Sequence, residues 1–172
     1  YLIPLMVVVP MLCAILVNAF AKFNKSIKVL TFVVAICLPI IPLLSNYGLH
    51  FFGGYTPMLD NATGVIYHPA ITYAFDMLQQ IFIAAVGLIT FLVAFIYLSK
   101  YKKASGQYLF LLFMGTASVT ALMLTDDIFN MFVFFEILAL VQVGIVIASP
   151  MDYSYEMALK YMILGSIGSP IM

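Results

Sequence analysis

Long apolar blocks broken by short polar stretches run the length of the chain. Blocks of about 17–22 residues match a ~30 Å hydrocarbon core, so each predicts a membrane-spanning helix. The pattern places such helices at Leu2–Ala21, Val29–Ser45, Met77–Leu98, Tyr108–Leu124, Ile128–Ser149 and Glu156–Met172. Tyr1 to Phe20 has neither a basic segment before it nor a small-residue cleavage site, so it reads as a spanning helix rather than a signal peptide.

The stretch Asn46–Asp76 is too polar and too rich in Gly and Pro to span. Gly53-Gly54-Tyr55-Thr56-Pro57 carries a turn signal. Gly64-Val65-Ile66-Tyr67 and Ile71-Thr72-Tyr73-Ala74-Phe75 are β-prone runs parted by His68-Pro69-Ala70, which suggests a small hairpin. The expected fold is therefore an all-α integral membrane domain over residues 1–172, with about six transmembrane helices and a small outside loop or hairpin.

Composition agrees with the pattern. Hydrophobic residues make up 65% of the chain and charged residues 8%, and mean hydropathy is +1.16. Soluble domains average about 45–50% apolar and about 25% charged. Net charge is zero, which points away from a nucleic-acid partner. All seven basic residues are Lys, which argues against an Arg-lined anion path.

Those lysines orient the chain. Lys22, Lys25 and Lys28 occupy the first connection, and Lys100, Lys102 and Lys103 the third. Positive loops stay cytoplasmic, so a plasma-membrane protein would have its N-terminus outside. The stretch 46–76 and the turn Thr125-Asp126-Asp127 then face outward, and Pro150–Tyr155 faces inward.

Against this background one residue stands out. Glu136 lies within Ile128-Phe129-Asn130-Met131-Phe132-Val133-Phe134-Phe135-Glu136-Ile137-Leu138-Ala139-Leu140. A charge at the bilayer centre costs roughly 2.5–3.5 kcal/mol on the insertion scale, so an intramembrane acid is a functional candidate by default. The plainer reading is a protonated carboxyl held by one hydrogen bond, since burial favours the neutral form. Asp127 is nine positions earlier, about 13 Å away along the axis and on the opposite helix face. Asp127 therefore reads as an N-cap, with Asp126 adding favourable charge beside it. Asp76 takes the same role before the third helix, and Asn130 is a secondary position of the same kind.

The helical neighbours of Glu136 are Phe129, Phe132, Val133, Leu140 and Val143, so a partner must come from another helix. Lys160 is the candidate, on the next helix, which the short link makes an antiparallel neighbour, at an axial offset of roughly 7 Å. Its plainer reading is snorkelling toward the interface, paired with Glu156 one turn earlier. Gly165, Ser166, Gly168 and Ser169 favour close helix packing there. Cys13 and Cys37 read as small buried apolar residues, and His50 and His68 lack neighbours at metal-ligand spacing. No cofactor, metal site or catalytic centre is expected within the chain.

The stretch Leu124-Thr125-Asp126-Asp127-Ile128-Phe129-Asn130-Met131-Phe132-Val133-Phe134-Phe135-Glu136-Ile137-Leu138 resembles a signature of the antiporter-like membrane subunits. These are shared by respiratory complex I, Mrp-type cation/proton antiporters and membrane-bound hydrogenases, and the pattern is D-[LI]-F-N-x-F-V-F-[FW]-E. Ala158-Leu159-Lys160-Tyr161-Met162-Ile163-Leu164-Gly165-Ser166 is similar to the start of the family's sixth helix. Gly53-Gly54-Tyr55-Thr56-Pro57 followed by Asp76 is similar to an outer-face run, with Tyr55 replacing Trp and a longer intervening segment.

The resemblance implies that Glu136 and Lys160 are ion-translocation residues, exchanging protons through hydrated half-channels. It also implies a larger fold, of about fourteen spans, of which this chain holds the N-terminal part. A naturally shortened subunit is expected, completed by partner membrane subunits of a multi-subunit complex. The leading expectation is a proton- or cation-translocating subunit of a redox-driven complex. The alternatives are an assembly module that no longer conducts, and a subunit of a non-redox cation/proton antiporter.

Overall fold

The computed structural model describes residues 2–20, 24–45, 49–60, 64–100, 105–148 and 154–168. Lys22, Lys102, Lys103, Ser169 and residues 150–153, expected to face inward, lie outside the described residues, as do the side chains of Lys25, His50, His68, Ser166 and Gly168. Six helices and one hairpin follow in order: α1 Leu2–Ala19, α2 Asn24–Leu44, β1 Leu49–Asp60, β2 Gly64–Phe75, α3 Met77–Lys100, α4 Gly106–Leu124, α5 Ile128–Ile147 and α6 Ser154–Gly168. Helices α2 to α5 are each long and apolar enough to cross a membrane.

Helix α2 begins before its apolar block, so Lys28 is a helical residue, and Lys100 lies in the last turn of α3. Lys is a good helix former, and a helix need not stop where the hydrocarbon does.

The hairpin differs from its expected layout. Both β-prone runs belong to the single strand β2, and its antiparallel partner is β1, which contains the Gly53–Pro57 run read as a turn. The register keeps one alignment from Leu49 opposite Phe75 to Asp60 opposite Gly64, with the Gly54–Ala70 position unpaired. In a two-stranded ribbon both strands are edges, which is where Pro is tolerated, so Pro57 and Pro69 do not end the pairing.

The helices alternate in direction. One core cluster, at the hairpin end, joins Ile3, Met6 and Val7 of α1 to Phe75, Ile83, Ala121 and Leu124. The other, towards the lysine-bearing end, joins Cys13, Ala14 and Val17 to Ile27, Leu38, Leu109 and Phe113. Cys13 is buried as expected of a small apolar residue, but Cys37 is exposed, because Thr31, Ala35, Leu38 and Pro42 form the inward face of α2.

Prolines shape α2. Pro39 and Pro42 lack the N–H groups that would bond the carbonyls of Ala35 and Leu38. Gly87 of α3 packs against this point so closely that a Cβ there would sit 2.7 Å from the Pro39 nitrogen. Near the end of α2, Gln80 Nε2 donates to the Pro42 carbonyl at 3.0 Å and the Ser45 carbonyl at 3.2 Å. Broken helix ends at membrane depth need such partners, because lipid supplies none.

Candidate functional site

Helix α5 is anchored first at its N-terminal end. The Asp127 side chain accepts the Asn130 backbone N–H at 3.1 Å and so caps the helix. This satisfies one of the orphan donors of the first turn. Asp126 is exposed beside it. The Asn130 side chain, almost fully buried, donates from Nδ2 to the Thr125 hydroxyl at 3.0 Å and the Tyr73 hydroxyl at 3.1 Å. Tyr73 also pairs with Thr125 through an isolated antiparallel bridge. Strand β2 is thus pinned to the α4–α5 turn.

Sequence reasoning missed Tyr73. The signal was available: an amide in the first turn of an otherwise apolar helix needs partners. Asp76 starts α3, with its backbone N–H donating to Gln79 Oε1 at 3.0 Å. Gln79 thereby supplies the return half of a capping box.

Two turns further along α5 comes Glu136. Its Oε1 is buried and has no hydrogen-bond partner among the described residues. One side of α5 packs on α4, with Val141 touching the position of Gly115 and Leu111 filling the space at Gly144. Ala139 approaches Gly165 of α6 to within 4.0 Å of a Cβ built there. Glu136 sits about 60° from Ala139 around the helix. The same-face neighbours Phe132, Val133 and Leu140 are exposed. A carboxyl group therefore borders a flank of α5 that these residues leave uncovered.

Lys160 is not brought to Glu136. Its Nζ pairs with Glu156 Oε1 at 2.7 Å, on an exposed part of α6. With Ala139 opposite Gly165, antiparallel counting puts Lys160 about 12 Å from the level of Glu136. The expected offset was shorter because it assumed equal depth from the α5–α6 link, whereas α6 sits lower against α5.

A second polar feature lies inside the bundle. The hydroxyls of Thr116, Ser118 and Thr120 on α4 donate back to the carbonyls of Leu112, Met114 and Thr116 at 2.8–2.9 Å. Thr90 of α3 meets Thr116 at 2.9 Å between hydroxyl oxygens. No group of three His, Cys, Asp or Glu side chains gathers at metal-binding distance among the described residues.

No protein-family model matches the chain. Over 170 residues, 99% of its length, it is 35% identical to the uncharacterized protein MJ1309 of Methanocaldococcus jannaschii. The chain spans only 34% of that relative. Among solved structures it is similar to a chain in the membrane-bound sulfane sulfur reductase (MBS), an archaeal respiratory membrane complex. The TM-score is 0.71 at 23% identity, covering 98% of this chain and 34% of that one. The two share a fold, that of a helical membrane protein.

Proposed function

We propose that this chain is an ion-translocating portion of a redox-driven membrane complex, with Glu136 as the carboxyl group that protons or cations must pass. The observation that carries the reading is the buried, unpartnered Glu136 Oε1 on a flank of α5 left uncovered. A carboxyl facing lipid is expensive, and a buried one without a partner costs more than the bond it forgoes. Such a group needs water, a cation or a further helix from beyond these residues. The fold shared with a chain of a respiratory complex supports the redox setting. The D-I-F-N-M-F-V-F-F-E run from Asp127 to Glu136 supports the antiporter-like reading.

Lys160 is the second station of this proposal. It lies nearer the lysine-bearing end of the bundle, which the positive-inside rule assigns to the cytoplasm of the cell. Proton exchange between Lys160 and Glu136 runs through water, because about 12 Å of axial offset exceeds direct contact. The completing helices come from the rest of a longer chain or from partner membrane subunits.

The competing reading is an assembly module that does not conduct, and the pairing of Lys160 with Glu156 favours it. The two separate in one experiment. Glu136→Gln is introduced into the full-length protein in its complex, assembly is checked on native gels, and ion uptake is followed in sealed vesicles driven by the complex's electron donor. The expected result is an assembled complex with uptake lost. Full uptake by the assembled variant would leave only the assembly role. Uptake driven by an imposed ion gradient, with no electron donor present, would instead favour a non-redox antiporter.

A further inference from the structure

A small cavity lies inside the bundle, where prolines interrupt α2 and helices α1 to α4 meet. It offers about 10 Å³ to the centre of a water-sized sphere. One water needs about 10–15 Å³ by that measure. Met6 of α1, Leu38 and Pro42 of α2, Gly87 of α3, and Thr116 and Thr120 of α4 line it, and all six are buried. No charged residue lines it.

The α2 wall supplies an acceptor. Pro42 has no N–H to give the Leu38 carbonyl one turn before it. Carbonyls further along α2 are served by side chains: Ser45 Oγ donates to Ile41 at 2.8 Å, and Gln80 Nε2 donates to Pro42 and Ser45. Among the described residues no side chain serves the Leu38 carbonyl in this way. Gly87 closes the α3 side, since even a Cβ there would stand 2.8 Å from the Leu38 carbonyl carbon. Lipid supplies no donor to such a group.

The α4 wall supplies more acceptors. The Thr120 hydroxyl donates its one hydrogen to the Thr116 carbonyl at 2.8 Å and keeps its lone pairs. The Thr116 and Thr90 hydroxyls hold two hydrogens for three contacts: the Leu112 carbonyl, the Val86 carbonyl and each other, all at 2.9 Å. Lone pairs therefore outnumber hydrogens on both walls, and the occupant that suits them donates two. A cation would also meet these oxygens, but no charge lines the cavity to offset its desolvation. Apolar cavities stay dry, whereas one bordered by two or more polar groups holds water. We propose that one water molecule is bound here, donating to the Leu38 carbonyl and to a threonine hydroxyl of α4, so that it ties the interruption in α2 to α4.

Met6 provides the readout, because its thioether is readily oxidised and it lines the cavity while buried. A brief X-ray pulse makes hydroxyl radicals from water in place, so a buried side chain is oxidised where a bound water touches it. The full-length protein is irradiated in its complex, and oxidation is read peptide by peptide in a mass spectrometer, scaled to the rate in the unfolded chain. Phe113 is fully buried and does not line the cavity, so it sets the background. Met6 should exceed that background at least about fivefold, as a side chain beside a bound water. Thr116→Val with Thr120→Val should cut Met6 oxidation at least about threefold, because the hydroxyls that hold the water are gone. Thr116→Ser with Thr120→Ser should keep it. Unfolding would raise Met6 oxidation, so a fall cannot come from a misfolded variant; after a rise, Thr120→Val alone makes the comparison. Met6 at the Phe113 background in the parent protein would overturn the proposal, as would Met6 oxidation unchanged by loss of the hydroxyls.

Discussion

Helices α4 and α5 follow one another across a three-residue turn, and both are long and apolar enough to cross a membrane. Their surroundings differ sharply. In α4, 44% of the spanning window is buried inside the bundle, against 6% in α5. The difference extends to polar groups. The buried hydroxyls of α4 are closed within the chain: Thr116, Ser118 and Thr120 donate to their own helix, and Thr116 also meets Thr90. Among the described residues, helix α5 is closed at its N-terminal end, through Asp127 and Asn130. At mid-length it carries a carboxyl oxygen with no partner among the described residues. Polarity in α4 is paired within the chain, while the Glu136 carboxyl of α5 keeps an oxygen without a partner among the described residues.

The strongest way to break that contrast is to exchange polar groups for near-isosteres on each helix. Glu136→Gln should lower ion transport by the assembled complex at least about tenfold, equivalent to ~1.4 kcal/mol of barrier. Its melting temperature should hardly move, because no internal bond is lost. Transport flux in vesicles, beside a thermal melt, decides it. A variant that transports normally but melts early would make α5 a scaffold like α4. Lys160→Met should reduce transport several-fold, and a milder Glu156→Gln should show whether the exposed pair restrains Lys160. No effect of Lys160→Met would remove Lys160 from the path while leaving Glu136 in it.

Gly87→Ala tests the scaffold side of the same contrast. The added Cβ would stand 2.7 Å from Pro39 N and 2.8 Å from the Leu38 carbonyl carbon. Both are backbone atoms and cannot rotate aside. Overpacking of this kind costs roughly 1–3 kcal/mol, and separation of α2 from α3 should appear as a lowered melting temperature. An unchanged melt would mean that the two helices pack less tightly than this contact requires.

Much of this contrast was legible in the residue pattern, for reasons that particular residues make clear. Runs of apolar residues mark helices wherever lipid is the solvent, so α1 to α6 stood out without any structure. The cap at Asp127 was readable because capping is a local event, decided within three residues. Glu136 could be singled out as a candidate because a carboxyl group within an apolar spanning helix is rare for energetic reasons that hold in any fold. The hairpin was not. Gly53-Gly54 and Pro57 signal a break locally, and only pairing with the strand Gly64–Phe75 turns them into β-structure. The link from Tyr73 to Asn130 spans 57 positions, so no local window contains it. The depth of Lys160 also depended on tertiary register: the contact between Ala139 and Gly165 decides how far α6 slides along α5.

The smallest expected effect is also the most exacting for the comparison. Thr116→Val keeps the shape of the side chain and removes a hydroxyl that meets Thr90 across helices. Interhelical hydrogen bonds in membranes average about 0.6 kcal/mol, with a maximum near 1.7. Thr90 also retains its bond to the Val86 carbonyl at 2.9 Å, so its hydroxyl is not stranded by the change. The melting temperature should fall by a degree or two, and ion transport should be unaltered. If transport fell with Thr116→Val as it is expected to fall with Glu136→Gln, the hydroxyls of α4 would belong to the ion path. The division between a closed helix and an open one would then have to be abandoned.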